Sequence, residues 1–280
     1  MKINGKTKLV GVFGNPIEHT ASPAMHNAIF EDLDMNCVYL PILVPIDQIK
    51  EAVDGIRAQN FLGVNVTVPF KEAVIPHLDK LDKLAANIGA VNTIVNEKGC
   101  LTGYNTDGAG FIYSIKSEGG FEPKNKIVTI LGAGGAAKAI VFSLIKEGIN
   151  KLFICDIDKK KSKNLCDALN KVSAIASTVD INTQPQIEAL KESDLVINAS
   201  PIGMAPHENK TPITNFSWVC NKHLCYDAIY KPAKTLFLAQ AEDQGAKILN
   251  GAGMLAGQGK IAFELFTGKN ANFNLMKEQI

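Results

Sequence analysis

Ile127-Val128-Thr129-Ile130-Leu131-Gly132-Ala133-Gly134-Gly135-Ala136-Ala137 is the stretch on which the reading of the fold turns. Its first five residues read as a buried strand, and the glycines open an apolar helix that runs to Glu147. In a strand–Gly-x-Gly-x-x-Ala–helix setting, Gly132 makes the tight turn and Gly134 lets backbone approach a pyrophosphate. The small Ala137 lets helix and strand pack closely. The free N–H groups and positive dipole end of such a helix favour an anion. Gly132, Ala133, Gly134, Gly135 and Ala136 are therefore the candidate cofactor-binding loop. The alternative, a tight turn of purely structural purpose, explains less, because the next strand ends in an acid.

That strand is Leu152-Phe153-Ile154-Cys155, and the acid is Asp156. A carboxylate at this place accepts hydrogen bonds from the ribose hydroxyls of NAD and repels the 2′-phosphate of NADP. The one arginine of the chain, Arg57, lies far away in the first half, so no guanidinium clamp for a phosphate is at hand. Lys159 or Lys160 offers a looser phosphate contact. The reading is NAD, with NADP as the alternative.

Working outward, strands and helices alternate through both halves. Leu9–Gly14 is strand-like, Ser22 is a candidate N-cap with Pro23 behind it, and Met25, Ile29 and Leu33 share one helix face. Cys37–Leu43 is a strand, Pro45 opens a helix, Leu62–Val66 is a strand, and residues 90–104 read as a hairpin around Asn96-Glu97-Lys98-Gly99. Leu195–Ile197 ends at Asn198-Ala199-Ser200-Pro201, and Ala246–Leu249 precedes two closing helices. The alternation predicts an α/β protein with parallel sheets. Its second half is a Rossmann-type dinucleotide-binding domain.

At 280 residues the chain has the length of two domains, and 46% hydrophobic against 20% charged residues is an ordinary globular balance. A formal net charge of +1 leaves no basic excess for phosphates, so no nucleic-acid partner is expected. No apolar stretch approaches the ~20 residues that span a bilayer, so no membrane partner is expected. The start at Met1-Lys2-Ile3 lacks a signal-peptide pattern, which predicts a cytoplasmic protein. The six cysteines are irregularly spaced, and Cys220, His223 and Cys225 have no second half-site, so no metal is expected.

The first half and the C-terminus carry polar strings that a plain core does not need. They are Asn15-Pro16-Ile17-Glu18-His19-Thr20-Ala21-Ser22-Pro23, Asn65-Val66-Thr67-Val68-Pro69-Phe70-Lys71, Gly89-Ala90-Val91-Asn92-Thr93 and Tyr104-Asn105-Thr106-Asp107-Gly108. The fifth is Asn250-Gly251-Ala252-Gly253-Met254-Leu255-Ala256-Gly257-Gln258. In this order, over nearly the whole chain, they closely resemble the shikimate dehydrogenase family, including its quinate/shikimate dehydrogenase members.

The resemblance implies an N-terminal substrate-binding domain, 1–105, completed by C-terminal helices 251–280, and a Rossmann domain, 106–250. It implies reversible hydride transfer between shikimate and 3-dehydroshikimate, with quinate and 3-dehydroquinate left open as a second pair, so the partner is a small polyol carboxylate. Lys71 and Asp107 take the places of the family's catalytic pair. Thr20 and Ser22 take those of two hydroxyls that bind the substrate carboxylate. Asn65, Thr67, Asn92 and Gln258 match ring-hydroxyl contacts, and Tyr230 lies near the site. Ser200, Gly253 and Met254 fall on the nicotinamide side, where Gly251 and Gly253 would let backbone approach a ligand. The family gives His19 and His26 no role as bases. A homodimer is compatible with this reading.

The chemistry suits these residues. Hydride addition to a ketone leaves an alkoxide, and a lysine ammonium can deliver the proton it needs. An aspartate beside it anchors the substrate hydroxyl and holds the lysine. Two alternatives stand: an NADP-dependent biosynthetic shikimate dehydrogenase, and a ligand-sensing protein on the same fold that does no chemistry. The presence of both Lys71 and Asp107 argues against the sensor.

Overall fold

The computed structural model describes residues 3–280, so Met1 and Lys2, where the N-terminal reading begins, lie outside the described residues. The first elements are β1 (Lys8–Gly14), α1 (Ser22–Asp32), β2 (Cys37–Leu43), α2 (Ile49–Ala58), β3 (Gly63–Val66), β4 (Lys80–Leu81) and α3 (Lys83–Ile88). Next come β5 (Thr93–Glu97), β6 (Cys100–Tyr104), α4 (Asp107–Ser117), β7 (Ile127–Leu131), α5 (Gly135–Lys146), β8 (Lys151–Cys155) and α6 (Lys159–Asn170). The chain ends with β9 (Ala176–Thr178), α7 (Gln184–Glu192), β10 (Leu195–Asn198), β11 (Leu224–Asp227), α8 (Leu236–Asp243), β12 (Lys247–Leu249), α9 (Ala252–Thr267) and α10 (Phe273–Lys277).

These elements form two compact units. The first runs to Gly110 and is completed by Leu255–Ile280; the second is Phe111–Met254. The chain passes between them within α4 and again within α9.

The first unit is built on a six-stranded sheet of order β2-β1-β3-β5-β6-β4. β2, β1 and β3 are parallel, but β5 is antiparallel to both β3 and β6. The hairpin expected over residues 90–104 makes this sheet a mixed one. The hairpin Thr93–Tyr104 enters it as a unit, and a tight two-strand turn can only join antiparallel partners. Pro45 precedes a short 3-10 turn, Ile46–Gln48, before α2 rather than opening that helix.

Phe13, Val53, Ile56, Val64, Phe70, Ile94 and Leu101 fill one core cluster of this unit. α1 buries Met25, His26, Ile29 and Phe30, and the rings of Phe30 and Phe263 meet at 5.2 Å. A Cβ on Gly63 would stand 2.5 Å from the Phe266 ring, so α9 reaches the sheet at a point where only glycine leaves room. Truncating a fully buried aromatic such as Phe263 costs about 3–5 kcal/mol.

The second unit is a six-stranded sheet of order β12-β11-β10-β7-β8-β9, with every neighbouring pair parallel. The order reverses between β7 and β10, the switch point at which ligands bind in such sheets. Register brings Leu131 beside both Cys155 and Asn198, and Asn198 beside Asp227. The chain therefore leaves the sheet at one level at Gly132, Asp156, Ala199 and Ala228. Among the described residues no helix is long and apolar enough to cross a membrane.

Candidate active site

In the first unit, β3, β5, the turn after β6 and the loop after β3 bring the polar strings together. Lys71 Nζ donates to Asp107 Oδ2 at 2.6 Å, with both side chains only partly exposed. Asp107 is the first residue of α4, where the dipole favours a carboxylate. Its backbone N–H donates to Asn105 Oδ1, and Asn105 Nδ2 donates to Ala90 O.

Asn92 braces this pair. Its Nδ2 donates to Asp107 Oδ1 at 2.8 Å and to Thr106 Oγ1 at 2.9 Å, while its Oδ1 accepts from Thr106 N–H and the Thr93 hydroxyl. Both donors and both acceptor sites of the amide are in use. Asn65 differs by one place. Its Nδ2 donates to Asn92 O and Thr93 Oγ1, and its Oδ1 accepts from the Tyr39 hydroxyl at 2.8 Å, which leaves one acceptor lone pair. Thr67 enters through its backbone, donating to Phe13 O, and its methyl occupies the space a Cβ on Gly14 would need.

Ser22 is not the cap expected of it. Ala21 holds the N-cap position with no side-chain cap, and Ser22 is the first residue of α1. Its N–H donates to Thr20 Oγ1 at 3.3 Å. Burial pushes the nearby Tyr39 phenol well above its ordinary pKa. Gln258 donates to Leu255 O, one turn back along α9.

In the second unit, Gly132 has φ +108°, which only glycine adopts freely, and a Cβ there would lie 3.0 Å from Ala199 and Ser200 backbone. Gly134 is the N-cap of α5 without a side-chain cap, and a Cβ at Gly134 or Gly135 would meet nothing within 4 Å. An open cradle over uncapped helix N–H groups fits a dinucleotide pyrophosphate. Ala133 is used otherwise, since its N–H donates to Asp156 Oδ2 at 2.6 Å. Asp156 Oδ1 accepts from Asp158 N–H, and Asp158 in turn caps α6.

Gly251 precedes α9, and Gly253 is the second residue of that helix. A Cβ on Gly251 would stand 2.1 Å from Ala228 O, and one on Gly253 would stand 2.2 Å from Ser114 Oγ. At Gly251 the protein's own backbone requires glycine, whereas at Gly253 the close atoms are the side-chain ends of Ser114 and Glu118. Ser200 is folded into its own loop, with its N–H and hydroxyl both donating to Asn198 Oδ1. Tyr230 is half-buried, with Lys231 Nζ 5.8 Å from its ring, and Met254 is half-buried at the start of α9.

Asp227 and Tyr39 were not among the residues singled out in the sequence. Asp227 is fully buried and accepts from Thr235 Oγ1 at 2.6 Å, Ile229 N–H at 3.0 Å and Asn198 Nδ2 at 3.1 Å. It thereby ties the loop after β10, which carries Ser200, to the loop after β11, which carries Tyr230. Burial raises its pKa, and these three bonds oppose the rise. The only sequence signal is an acid ending an apolar strand.

Three family models match the chain. A shikimate dehydrogenase substrate-binding domain covers residues 12–94, a saccharopine dehydrogenase NADP-binding domain 128–206, and a shikimate 5′-dehydrogenase C-terminal domain 251–280. The chain is 44% identical to the shikimate dehydrogenase (NADP(+)) of Desulforamulus reducens, over 99% of this chain and 95% of that protein. It is 42% identical to the enzyme of the same name from Carboxydothermus hydrogenoformans, over 100% and 99%. Among solved structures, shikimate 5-dehydrogenase of Listeria monocytogenes in complex with shikimate and NAD superposes with a TM-score of 0.96. That protein is 37% identical over 99% of this chain and 98% of its own.

Proposed function

This chain belongs to the shikimate dehydrogenase family, and from that premise we propose that it interconverts shikimate and 3-dehydroshikimate with Lys71 and Asp107 as its catalytic pair. The observation that carries the proposal is the 2.6 Å Lys71–Asp107 bond, held by an Asn92 whose own hydrogen bonds are all made inside the protein. The pair is therefore fixed before any ligand arrives, which is the preorganisation that proton transfer benefits from.

Gly132, Gly134, Gly135 and Ala136 would hold the cofactor pyrophosphate over the α5 N-terminus. The nicotinamide, when bound, supplies or accepts the hydride. Lys71 Nζ donates a proton to the oxygen left negative at the reduced carbon, and in oxidation the neutral amine takes it back. Asp107 accepts from the substrate hydroxyl and keeps Nζ in place. The last lone pair of Asn65 Oδ1 accepts from a ring hydroxyl, while Thr20 and Ser22 donate to the carboxylate. Thr67, Gln258 and Tyr230 complete the polyol contacts, and Ser200, Gly253 and Met254 stand on the nicotinamide side.

The relatives' names support NADP(H) as the cofactor better than NAD(H). A second reading, NAD(H), has one specific observation in its favour. The Asp156 carboxylate is anchored at the glycine loop through Ala133 N–H, where it would repel a 2′-phosphate.

Initial rates of oxidation of shikimate and quinate, each with NADP+ and with NAD+, test both levels. Shikimate turnover with NADP+ ahead is the expected result. Shikimate turnover with NAD+ ahead moves the cofactor to the second reading. Quinate turnover at a comparable rate widens the substrate to both polyols. Shikimate binding with no turnover in any combination overturns the enzyme reading in favour of a sensor.

A further inference from the structure

Tyr39 lies on β2 and is 1% exposed, a position an apolar side chain would fill equally well. Its hydroxyl nevertheless donates to Asn65 Oδ1 at 2.8 Å. Asn65 comes from β3 and is a candidate ligand of the polyol.

The ring has little freedom. It stacks on the His26 imidazole at 4.3 Å with planes 8° apart, and Asn27 grips the Tyr39 backbone at both ends. Asn27 Oδ1 accepts from Tyr39 N–H at 2.8 Å, and Asn27 Nδ2 donates to Tyr39 O at 3.0 Å. His26 is itself fully buried with neither ring nitrogen hydrogen-bonded, so it serves this place as a flat, uncharged platform.

We infer that Tyr39 is the positioning residue that fixes which side of the Asn65 amide is left to accept from a ring hydroxyl of the polyol. The inference rests on the function proposed above. The phenol O–H, a donor, forces Asn65 to present Oδ1 on that side and Nδ2 toward Asn92 and Thr93. One acceptor lone pair is left for a ligand, so the site recognises a ring hydroxyl as a donor. Without the phenol oxygen, the Asn65 amide keeps only the partners on its nitrogen.

Tyr39→Phe removes one oxygen and keeps the ring, so the stack on His26 survives. The test is steady-state shikimate oxidation by the wild-type and Tyr39→Phe proteins, with a thermal unfolding midpoint for each. KM for shikimate is expected to rise about tenfold, equivalent to about 1.4 kcal/mol, with kcat within twofold and the cofactor KM unmoved. In an Asn65→Ala background the same substitution should raise KM by less than half that factor, because the amide that Tyr39 positions is already gone. An unchanged shikimate KM in Tyr39→Phe beside an active wild type overturns this inference alone, as does a parallel rise in cofactor KM with a lowered unfolding midpoint. A wild type that does not turn over shikimate removes the functional reading and this inference with it.

Discussion

Asn92 in the first unit has every hydrogen-bonding position in use, whereas a Cβ on Gly134 or Gly135 in the second would meet nothing within 4 Å. One region is a closed polar network that places Lys71 and Asp107 before a ligand arrives. The other is an open cradle that gains its partner only from outside. A network in a low-dielectric setting is strong when fully satisfied and intolerant of a missing member. An open cradle tolerates change in the fold and answers only in ligand affinity. The Asp156 carboxylate belongs to the second kind, since it lies at the rim of the loop and two backbone N–H groups hold it.

The contrast can be broken most sharply at Asp107. Asp107→Asn keeps one acceptor for Asn92 but removes the charge facing Lys71. Turnover should fall by about 10²–10³, within the range for lost acid–base assistance, while the cofactor KM stays constant; a decrease smaller than threefold would show that the network is only structural.

A pair of glycine substitutions separates the two kinds of constraint. Gly251→Ala drives a Cβ to 2.1 Å from the Ala228 carbonyl oxygen and should lower stability by about 1–3 kcal/mol in denaturant unfolding. Gly134→Ala meets open space, so stability should hold while the cofactor KM rises several-fold. If Gly134→Ala is the one that unfolds the protein, the cradle is a structural turn.

His26 supplies a pH handle on the closed network. Burial lowers its pKa from 6.5 to about 3, so between those values the unfolded chain binds a proton that the folded chain does not. Stability is therefore full above pH 6.5 and is lost as pH falls, by about 1.4 kcal/mol per pH unit and about 2 kcal/mol by pH 5. His26→Phe keeps a stacked ring and should flatten that slope. The raised pKa of Asp227 acts with the opposite sign in both proteins and cancels from the difference. Equal slopes in denaturant melts at pH 7 and pH 5 would contradict the assignment.

The smallest effect is expected at the rim. Asp156→Ser removes the carboxylate at the rim of the glycine loop and should shift the NADP+/NAD+ ratio of kcat/KM about tenfold toward NADP+. No shift in that ratio would mean that the lysines after Asp158 set the preference.

Much of this contrast was legible in the chain because the glycine loop couples a local strand, a turn and a helix within eleven residues. The strand ends at Cys155 and Asn198 were legible for the same reason, as apolar runs that stop at a polar residue. Lys71 and Asp107 are 36 residues apart, and no local pattern brings them together; the family resemblance did. Tyr39 escaped because a buried aromatic in a strand reads as core, and only the bond from its hydroxyl to Asn65 shows otherwise. α4 escaped because Gly108 and Gly110 lower helix propensity. α9 meets this helix closely, since a Cβ on Gly257 would come within 2.7 Å of the Gly110 carbonyl oxygen. β11 also stops at a polar residue, but what marks Asp227 is not local, since its donors Asn198, Ile229 and Thr235 are brought to it only by the folded loops.

The most direct test of the account is the turnover of Lys71→Ala with shikimate at saturating cofactor. Lys71 donates to Asp107 but supports no element of the fold through its side chain. The account predicts a kcat lowered by about 10²–10⁴, with shikimate KM changed by less than threefold and an unaltered unfolding midpoint. A kcat within threefold of wild type would contradict it, and would assign the proton to another group.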